Sequence, residues 1–223
     1  MTDTIVLKDI VPVTHDTNRY TFSRPEGLDF TPGQATELAI DAEGWRDEGR
    51  PFTFTSQPED NDLEFVIKSY PDHDGVTEQL AKLTAGATVK LDGPFGAIKD
   101  EGPGVFLAAG AGITPFIPIL RKRARDNEID GCTLIFSNKT EQDIIMRGEW
   151  EATQGLKTIF TLTDQESDTL ETGQVDKDFL EKHVSDFDQK FYLCGPGGFV
   201  DDVRDALKEL GAQKDNIITE EGW

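Results

Sequence analysis

The chain has 223 residues, which is enough for two compact domains of about 100 residues each. Its 22 Lys and Arg residues are outnumbered by 43 Asp and Glu residues, so the formal net charge is −21. This charge excludes the broad basic surface with which proteins bind nucleic acids, and it disfavours adsorption to an anionic membrane.

The ends and the cysteines suggest the cellular compartment. No basic segment followed by an apolar one stands at the start, and the most apolar stretch, residues 105–120, is broken by Gly and Pro and is too short to span a bilayer. Two cysteines are too few for a disulfide framework or an iron–sulfur cluster. We therefore expect a cytoplasmic protein. Its acidity is typical of a salt-rich cytoplasm and fits an ordinary acidic protein equally well.

The first part of the chain predicts an antiparallel β-barrel. Short β-branched or aromatic runs alternate with turn residues rich in Pro, Gly and Asp, and one helix is predicted at residues 76–83. Many short strands with a single helix are typical of a small barrel. The predicted strands cover residues 5–7, 19–22, 35–40, 52–55, 63–68 and 88–91.

From Pro103 onward, strands alternate with helices. Continuous apolar runs at residues 105–109, 132–136, 158–162 and 191–193 predict strands buried on both faces. The helices are predicted at residues 115–125, 141–153, 176–184 and 197–210. This alternation predicts a doubly wound parallel sheet, with a domain boundary near residues 99–103 that separates residues 1–100 from residues 101–223.

A glycine-rich turn follows the first buried strand. Gly110 and Gly112 let the backbone turn sharply and approach a ligand, and the amides at the start of the next helix favour a pyrophosphate. The third glycine of the usual dinucleotide fingerprint is absent, and Pro115 stands near its place. A tight turn without a ligand is the alternative interpretation.

A second motif in the barrel half, residues 50–56, combines a cation, aromatic rings and hydroxyls in extended chain. Alternation puts Phe52 and Phe54 on one side, with Thr53 and Thr55 on the other. An ordinary strand after a flexible loop is the alternative.

Two further features lie near the end. Cys194 ends a buried strand and precedes Gly195 and Pro196, so it is predicted at the carboxyl edge of the sheet, where α/β sheets bind ligands. Cys132 is interpreted as a small buried apolar residue. Trp223 needs a surface to cover its ring: a flat ligand, or alternatively a groove in the barrel.

These motifs occur in the order Arg-x-Phe-Thr, Gly-Pro-Phe-Gly, Gly-x-Gly-x-Thr-Pro and Cys-Gly-Pro. In this order and spacing, the chain resembles the ferredoxin–NADP⁺ reductase family over nearly its whole length. The resemblance implies a flavin-binding antiparallel barrel followed by a nicotinamide-dinucleotide domain. The aromatic terminus resembles the bacterial flavodoxin/ferredoxin reductase branch.

The resemblance implies a site for FAD in the barrel. Arg50 would bind a flavin phosphate, Phe52 would pack on the isoalloxazine in place of a tyrosine, and Thr53 would hydrogen-bond near flavin N5. The backbone of residues 65–69 would line the flavin edge, and a helix start would receive the pyrophosphate. The residues that would line the flavin edge include Ile67 and Lys68, and those at the helix start are Gly75, Val76 and Thr77.

The resemblance also implies a site for NADPH or NADH. Cys194 would lie near nicotinamide C4 with Glu220 or Glu221 close to it, and Trp223 would stack on the open flavin face and yield to nicotinamide. The residues that would hold the dinucleotide are Gly110, Gly112, Thr114, Pro115, Gly195 and Pro196.

The implied activity is that of an FAD-dependent oxidoreductase. A hydride passes between NAD(P)H and flavin N5, and electrons pass singly to a ferredoxin or flavodoxin-type carrier. The alternatives are a reductase of free flavin or of an oxygenase component and, outside enzymes, a flavin or nucleotide sensor. NADPH is favoured over NADH by the resemblance alone, since Lys139 and Arg147 are equally typical of solvated cations. His15, His73 and His183 are scattered, and no metal site is expected.

Overall fold

The computed structural model describes residues 2–70, 75–96 and 98–220, which form two six-stranded sheets in succession. The first sheet is antiparallel throughout and the second is parallel throughout. Among the described residues, no helix is long and apolar enough to cross a membrane.

The first sheet has the order β4-β3-β6-β1-β2-β5, so β4 and β5 are its two edge strands. A short helix, α1 (Val76–Ala81), follows β5. The strands are β1 (Thr2–Pro12), β2 (Thr17–Ser23), β3 (Ala35–Ile40), β4 (Arg50–Thr53), β5 (Asp62–Lys68) and β6 (Thr88–Phe95).

Alternation along these strands builds the barrel core. In β1 and β2 the buried positions lie two residues apart, Ile5 with Leu7 and Tyr20 with Phe22, and the residues between them face outward. The ring of Phe54 stacks on Phe30 with centroids 4.2 Å apart. This sheet therefore encloses an aromatic core of its own.

The second sheet has the order β10-β9-β8-β7-β11-β12. Its strands are β7 (Gly104–Ala109), β8 (Thr133–Asn138), β9 (Lys157–Leu162), β10 (Glu171–Thr172), β11 (Lys190–Cys194) and β12 (Ile217–Thr219). The helices are α2 (Phe116–Arg125), α3 (Arg147–Ala152), α4 (Lys177–His183) and α5 (Gly197–Glu209). Three short 3₁₀ helices cover Gly110–Ile113, Glu141–Asp143 and Lys214–Asn216.

Helices α2 and α3 cover one face of the parallel sheet, and α4 and α5 cover the other. The strands in the middle are buried on both faces, which is why their sequences are continuous apolar runs. The predicted fold class, a β-barrel followed by a doubly wound parallel sheet, is confirmed.

The structure differs from the sequence prediction in local detail. The helix predicted at residues 141–153 is divided into a 3₁₀ turn and α3, because Met146 between them adopts a left-handed backbone (φ +57°). The helix predicted from residue 115 begins at Phe116, with Pro115 as its N-cap. Strands β10 and β12 were not predicted, since two or three residues carry no periodic pattern.

The segment between the two sheets packs closely on the second one. Ile98 is fully buried in the core beneath α2, and the Asp100 carboxylate accepts a hydrogen bond of 2.5 Å from Arg123. The Tyr192 hydroxyl accepts from the Glu101 amide at 2.9 Å and donates to the Gly102 carbonyl at 2.8 Å. Burial raises the pKa of Tyr192 to about 12, so this hydroxyl keeps its proton at physiological pH.

Candidate functional site

Two glycine-rich turns meet at the carboxyl edge of the parallel sheet. Strands β7 and β11 are neighbours, with Ala108 opposite Cys194, and each strand ends in one of these turns. A Cβ on Gly112 would lie 2.3 Å from the Cys194 carbonyl oxygen, and one on Gly195 would lie 3.0 Å from the Ala109 Cβ. The two turns therefore touch at Gly112, where an added Cβ would overlap backbone atoms and only glycine fits, and Gly195 packs tightly against side-chain atoms. We call residues 108–115 and 194–197 the sheet edge.

The first of these turns is a 3₁₀ helix, Gly110–Ile113, placed between β7 and α2. Gly110 has φ +52°, and nothing lies within 4 Å of where its Cβ would stand. The Thr114 hydroxyl donates to the Ala111 carbonyl at 3.0 Å, which leaves its oxygen free to accept. The α-helix itself begins at Phe116, one residue later than the sequence predicted, and the 3₁₀ turn lies between it and the strand.

Cys194 is the last residue of β11, as the sequence predicted, and only 9% of it is exposed. Burial raises the pKa of the Cys194 thiol well above its ordinary value, and the nearby Glu220 carboxylate raises it further. Strand β12 brings this glutamate close, because Thr219 pairs with Leu193. The thiol therefore stays protonated. The other two residues predicted here, Glu221 and Trp223, lie outside the described residues.

Asn138 is a candidate site residue to which the sequence analysis gave no role. It ends β8 at the same edge of the sheet, it is 5% exposed, and both its amide atoms are buried without a hydrogen-bond partner among the described residues. An unpaired buried amide costs about 1–3 kcal/mol, which a ligand group or an ordered water would recover. The sequence signal that could have identified Asn138 is that a polar residue stands at the end of an otherwise apolar strand.

The two cations that follow β8 differ in their surroundings. Arg147 donates to Glu141 at 2.7 Å and to Glu151 at 2.8 Å, and its guanidinium lies 5.8 Å from the centre of the Phe160 ring. Lys139 is exposed and forms no ion pair within the described ranges. A phosphate at this place would therefore find Lys139 available and Arg147 already occupied.

The barrel has an opening between its two edge strands, β4 and β5. We call this opening, with the residues 50–55 and 62–69 that border it, the strand gap. The two sides meet where the Thr55 amide donates to the Glu64 carbonyl at 2.8 Å. Beyond that bond, no backbone ladder joins β4 to β5 in the part of the chain described. Both strands are edges of the sheet, and an edge strand presents unpaired backbone groups on its open side. The prediction of a flavin site at Thr53 and Ile67 would use such groups.

Three residues predicted for the flavin site lie on β4. Phe52 is half-buried against the barrel core, and Thr53 pairs with Ala35 of the neighbouring strand. Arg50 is exposed and donates to the Gly49 carbonyl at 2.7 Å and to Glu48 at 3.3 Å, so three of its five N–H donors remain for an anion.

At the other end of the gap, Gly75 is the extended N-cap of α1, and Thr77 is half-buried. Val76 points into the barrel core, so it offers a ligand its backbone only. Lys68 likewise has its side chain engaged: its ammonium lies 2.8 Å from Asp16 and 3.5 Å from Asp143.

The Lys68 ammonium also bears on a possible cation site. His15, Asp16 and Asp143 have potential ligand atoms within 4.8 Å of one another. The lysine already supplies the positive charge there. Burial raises the pKa of Asp16, but hydrogen bonds from Lys68 and Thr14 outweigh that effect and leave it below its ordinary value.

Comparison with known proteins gives the family. A family model described as the oxidoreductase FAD-binding domain matches residues 4–99, and one described as the oxidoreductase NAD-binding domain matches residues 106–205. NADH-cytochrome b5 reductase 1 of Aspergillus terreus is 30% identical over 232 residues, which cover 94% of this chain and 78% of that protein.

Two more similarities extend this result. The electron transfer component of 2-halobenzoate 1,2-dioxygenase from Burkholderia cepacia is 28% identical over 202 residues, or 86% of this chain and 57% of that relative. The crystal structure of a ferredoxin NADP⁺ reductase from Neisseria gonorrhoeae with bound FAD and NADP superposes with a TM-score of 0.84 and 22% identity. The superposition covers 100% of this chain and 99% of the reductase chain, and it supports the assignment of the fold. The chain thus belongs to the ferredoxin–NADP⁺ reductase-like family of flavoprotein oxidoreductases, whose two domains bind FAD and a nicotinamide dinucleotide.

Proposed function

We propose that this protein oxidises NADPH and passes the electrons singly to a ferredoxin- or flavodoxin-type carrier. The observation that supports the proposal is a shared apolar core: Val66 of β5, beside the strand gap, packs in the same cluster as Ala108 and Cys194 of the sheet edge. A barrel ligand and a sheet-edge ligand can therefore meet at the junction of the two sheets.

The strand gap would hold FAD. Arg50 would bind a phosphate through its remaining donors, Phe52 would pack on the flavin ring, and Thr53 would hydrogen-bond near N5. The backbone of Ile67 and Lys68 would line the flavin edge, while the start of α1 would receive the pyrophosphate. When bound, FAD would supply the chemistry that couples a two-electron hydride donor to one-electron carriers.

The sheet edge would hold the nicotinamide dinucleotide. The turns at Gly110 and Gly195 would let the ligand approach the backbone, and the unpaired Asn138 amide would gain a polar partner. Cys194 would stand beside the nicotinamide as a protonated thiol.

The choice of NADPH over NADH depends on Lys139. Its free ammonium would bind the 2′-phosphate that NADH lacks. We expect Lys139→Gln to lower the ratio of kcat/KM for NADPH to that for NADH by about tenfold, the value of one exposed charge-assisted contact of about 1.4 kcal/mol. A tenfold preference for NADH in the parent protein would contradict the assignment.

Three measurements test the core of the proposal. The purified protein should be yellow, and chromatography of the released flavin should identify FAD; recovery of FMN would contradict the assignment. Anaerobic addition of NADPH should bleach the flavin absorption. An unchanged spectrum with both NADPH and NADH would leave a sensor, the non-enzymatic alternative, as the better description.

The electron acceptor has a specific alternative, because one relative is named as an electron transfer component of a dioxygenase. Reduction rates should be compared for a ferredoxin, a flavodoxin, free FMN and an oxygenase component. A carrier reductase should reduce the first two at least about tenfold faster than free flavin. The reverse order would favour a flavin or oxygenase reductase.

Trp223 also remains part of the proposal. Its indole would cover the flavin face that nicotinamide must reach, and such stacking is worth about 0.5–1.5 kcal/mol beyond area burial. Removing the indole should tighten nicotinamide binding up to about tenfold. A lower melting temperature with unchanged nucleotide affinity would instead place this ring in a barrel groove.

A further inference from the structure

The side chain of Arg121 joins the two halves of the molecule. It projects from α2 and is about one-quarter exposed. Its Nε and Nη2 donate to the two carboxylate oxygens of Glu149 at 2.6 and 2.9 Å, a forked pair with α3. Its Nη1 donates to Glu64 at 2.7 Å and to the Thr55 carbonyl at 3.1 Å, both in the barrel half. One guanidinium thus binds both sides at once.

The barrel groups that Arg121 holds are fixed to each other as well. Thr55 donates its amide to the Glu64 carbonyl at 2.8 Å and its hydroxyl to the Glu64 carboxylate at 2.9 Å. Thr55 is fully buried and lies two residues after Thr53. A displacement of Arg121 would therefore be transmitted to the end of β4 through short, directional bonds.

The other end of this connection lies at the sheet edge. Helix α2 begins directly after the turn that contains Gly110 and Gly112, and its residues Phe116 and Ile117 are fully buried. The turn itself touches the Cys194 carbonyl. Arg121 is therefore linked through a rigid helix to the place where the dinucleotide would bind.

The charges around Arg121 make it difficult to replace. Burial lowers its pKa, but the hydrogen bonds and charges of Glu149 and Glu64 outweigh burial and keep the pKa above its ordinary value, so it stays charged. Removing the guanidinium would leave two partly buried carboxylates near each other, with Arg19, whose Nε is 3.8 Å from Glu64, as a weaker cation partner. The repulsion between these carboxylates would push the barrel half and the second half apart, in addition to the loss of the hydrogen bonds.

We propose that Arg121 is a positioning residue that fixes the distance between Thr53 and the sheet edge, and with it the distance over which hydride moves. The proposal rests on the function proposed above. In that step the C4–H bond of NADPH would break, the hydride would carry both electrons to flavin N5 to form a new N–H bond, and the nicotinamide would become oxidised while the flavin is reduced. An error of about 1 Å in such an alignment costs on the order of a hundredfold in rate.

The junction provides a matched control on the same helix. Arg125 of α2 pairs with Glu59 of the barrel half, but both side chains are about half exposed. Exposed pairs of this kind contribute little. Arg125→Gln therefore removes a charge pair across the same junction without touching Thr55, whereas Arg121→Gln removes the buried connection and Arg121→Lys keeps its charge without the fork.

The first experiment uses the flavin-loaded protein, mixed rapidly with NADPH or its 4-deuterated form. We expect Arg121→Gln to slow flavin reduction at saturating NADPH at least tenfold, with a deuterium isotope effect that varies more with temperature. FAD content and NADPH affinity should stay within threefold of the parent, Arg121→Lys should recover part of the rate, and Arg125→Gln should stay within twofold. A reduced melting temperature with an unchanged hydride step would overturn the proposal.

The second experiment uses the apoprotein and is independent of activity. Hydrogen–deuterium exchange should increase in residues 52–56 and in residues 110–120 with Arg121→Gln, and in neither segment with Arg125→Gln. Faster exchange on one side only would overturn the proposal, because it would mean that the two sides are not held through this residue. If neither nicotinamide nucleotide reduces the flavin of the parent protein, the proposed function fails, and this exchange result alone decides the role of Arg121. If Arg121→Gln does not fold, Arg121→Lys is judged by the same two criteria.

Discussion

The sheet edge and the strand gap are built in opposite ways. At the sheet edge two turns touch backbone to backbone, and a methyl group on Gly112 would stand 2.3 Å from a carbonyl oxygen. At the strand gap the backbone edges of β4 and β5 diverge after one hydrogen bond, and Arg50 extends into solvent. The first region has its shape before any ligand arrives, whereas the second presents separate groups that a ligand would bring together.

This difference predicts how each region responds to change. A rigid backbone site transmits any added volume to its neighbours, because protein interiors are close-packed. A site made of exposed side chains loses only the contact that is removed. Mutations at the sheet edge should therefore affect folding and binding together, while those at the gap should separate the two.

The largest effect is expected for Gly112→Ala. The new Cβ would overlap the Cys194 carbonyl, so the two turns must move apart, at a cost of about 1–3 kcal/mol in the free energy of unfolding. Displaced by about 1 Å, the dinucleotide should reduce the flavin roughly a hundredfold more slowly. Urea unfolding and rapid-mixing absorbance measure the two effects.

Gly148→Ala is the control for this substitution. Gly148 lies in α3 with nothing within 4 Å of its Cβ position, so alanine should leave activity unchanged and stabilise the helix by about 0.5–1 kcal/mol. If Gly112→Ala behaves like this control, the sheet edge is not rigid, and the contrast with the strand gap fails.

Arg50→Ala should show the opposite pattern at the strand gap. Losing a hydrogen-bonded cation at a phosphate costs about 1.5–3 kcal/mol, which weakens flavin binding roughly ten- to hundredfold. Because Arg50 is exposed, the urea midpoint of the apoprotein should hardly change. Titration of apoprotein with FAD, followed by flavin fluorescence, measures the affinity.

The matched variant is Arg46→Ala, in the loop that leads into β4. Its guanidinium binds the Asp41 carboxylate at 2.6 Å and faces no predicted ligand. Flavin affinity should stay within about twofold of the parent. Equal losses of affinity in both variants would mean that the loop responds to charge in general and not to a phosphate at Arg50.

Cysteine reactivity tests how closed the sheet edge is. Burial raises the pKa of both Cys132 and Cys194, and each unit of increase lowers the thiolate fraction tenfold at a pH below the pKa. At pH 8 both thiols should react with iodoacetamide at least about tenfold more slowly than in the unfolded chain. NADP⁺ should protect Cys194 further and leave Cys132 unchanged, as peptide mass spectrometry would show; rapid labelling of Cys194 would contradict a closed edge.

The smallest expected effect is the loss of stability at low pH when Asp143 becomes protonated. Burial raises the pKa of Asp143, but hydrogen bonds from Thr140 and the charge of Lys68 outweigh it, so the pKa is lowered, as it is for Asp16. A lowered carboxyl pKa stabilises the fold above the unfolded value of about 4, and this contribution is lost as pH falls through the folded pKa. Asp143→Asn should cost about 1 kcal/mol at pH 7, and the difference from the parent should shrink as the pH falls below about 4. A constant difference in urea midpoint across this range would exclude the ionic contribution.

The sequence predicted what local pattern controls. Apolar runs located β7, β8, β9 and β11, and glycine followed by proline located the turn after Cys194, because both signals lie within a few residues. Strand β12 could not be predicted from the sequence, because Ile217 and its neighbours form a strand only by pairing with β11, which is distant in the chain.

Long-range contacts left no local signal. Arg121 has the pattern of a solvated cation on an amphipathic helix, and its partner Glu64 lies 57 residues earlier in the other half. Asn138 ends an apolar strand like many polar residues that face solvent, and only the packing around it removes its partners. Which polar group becomes buried depends on how the two sheets meet, and residue spacing does not encode that.

The packing of the segment after Ile98 has a consequence for recombination between relatives. Asp100 and the Gly102 carbonyl are bound by Arg123 and Tyr192 of the second sheet, and Ile98 fills a space beneath α2. A chimera that takes its barrel from one reductase and its dinucleotide domain from another would therefore inherit mismatched partners if the crossover fell at residue 100. Moving the crossover ahead of Ile98 keeps these partners together, so the exchangeable unit of this architecture begins before the first strand of the parallel sheet.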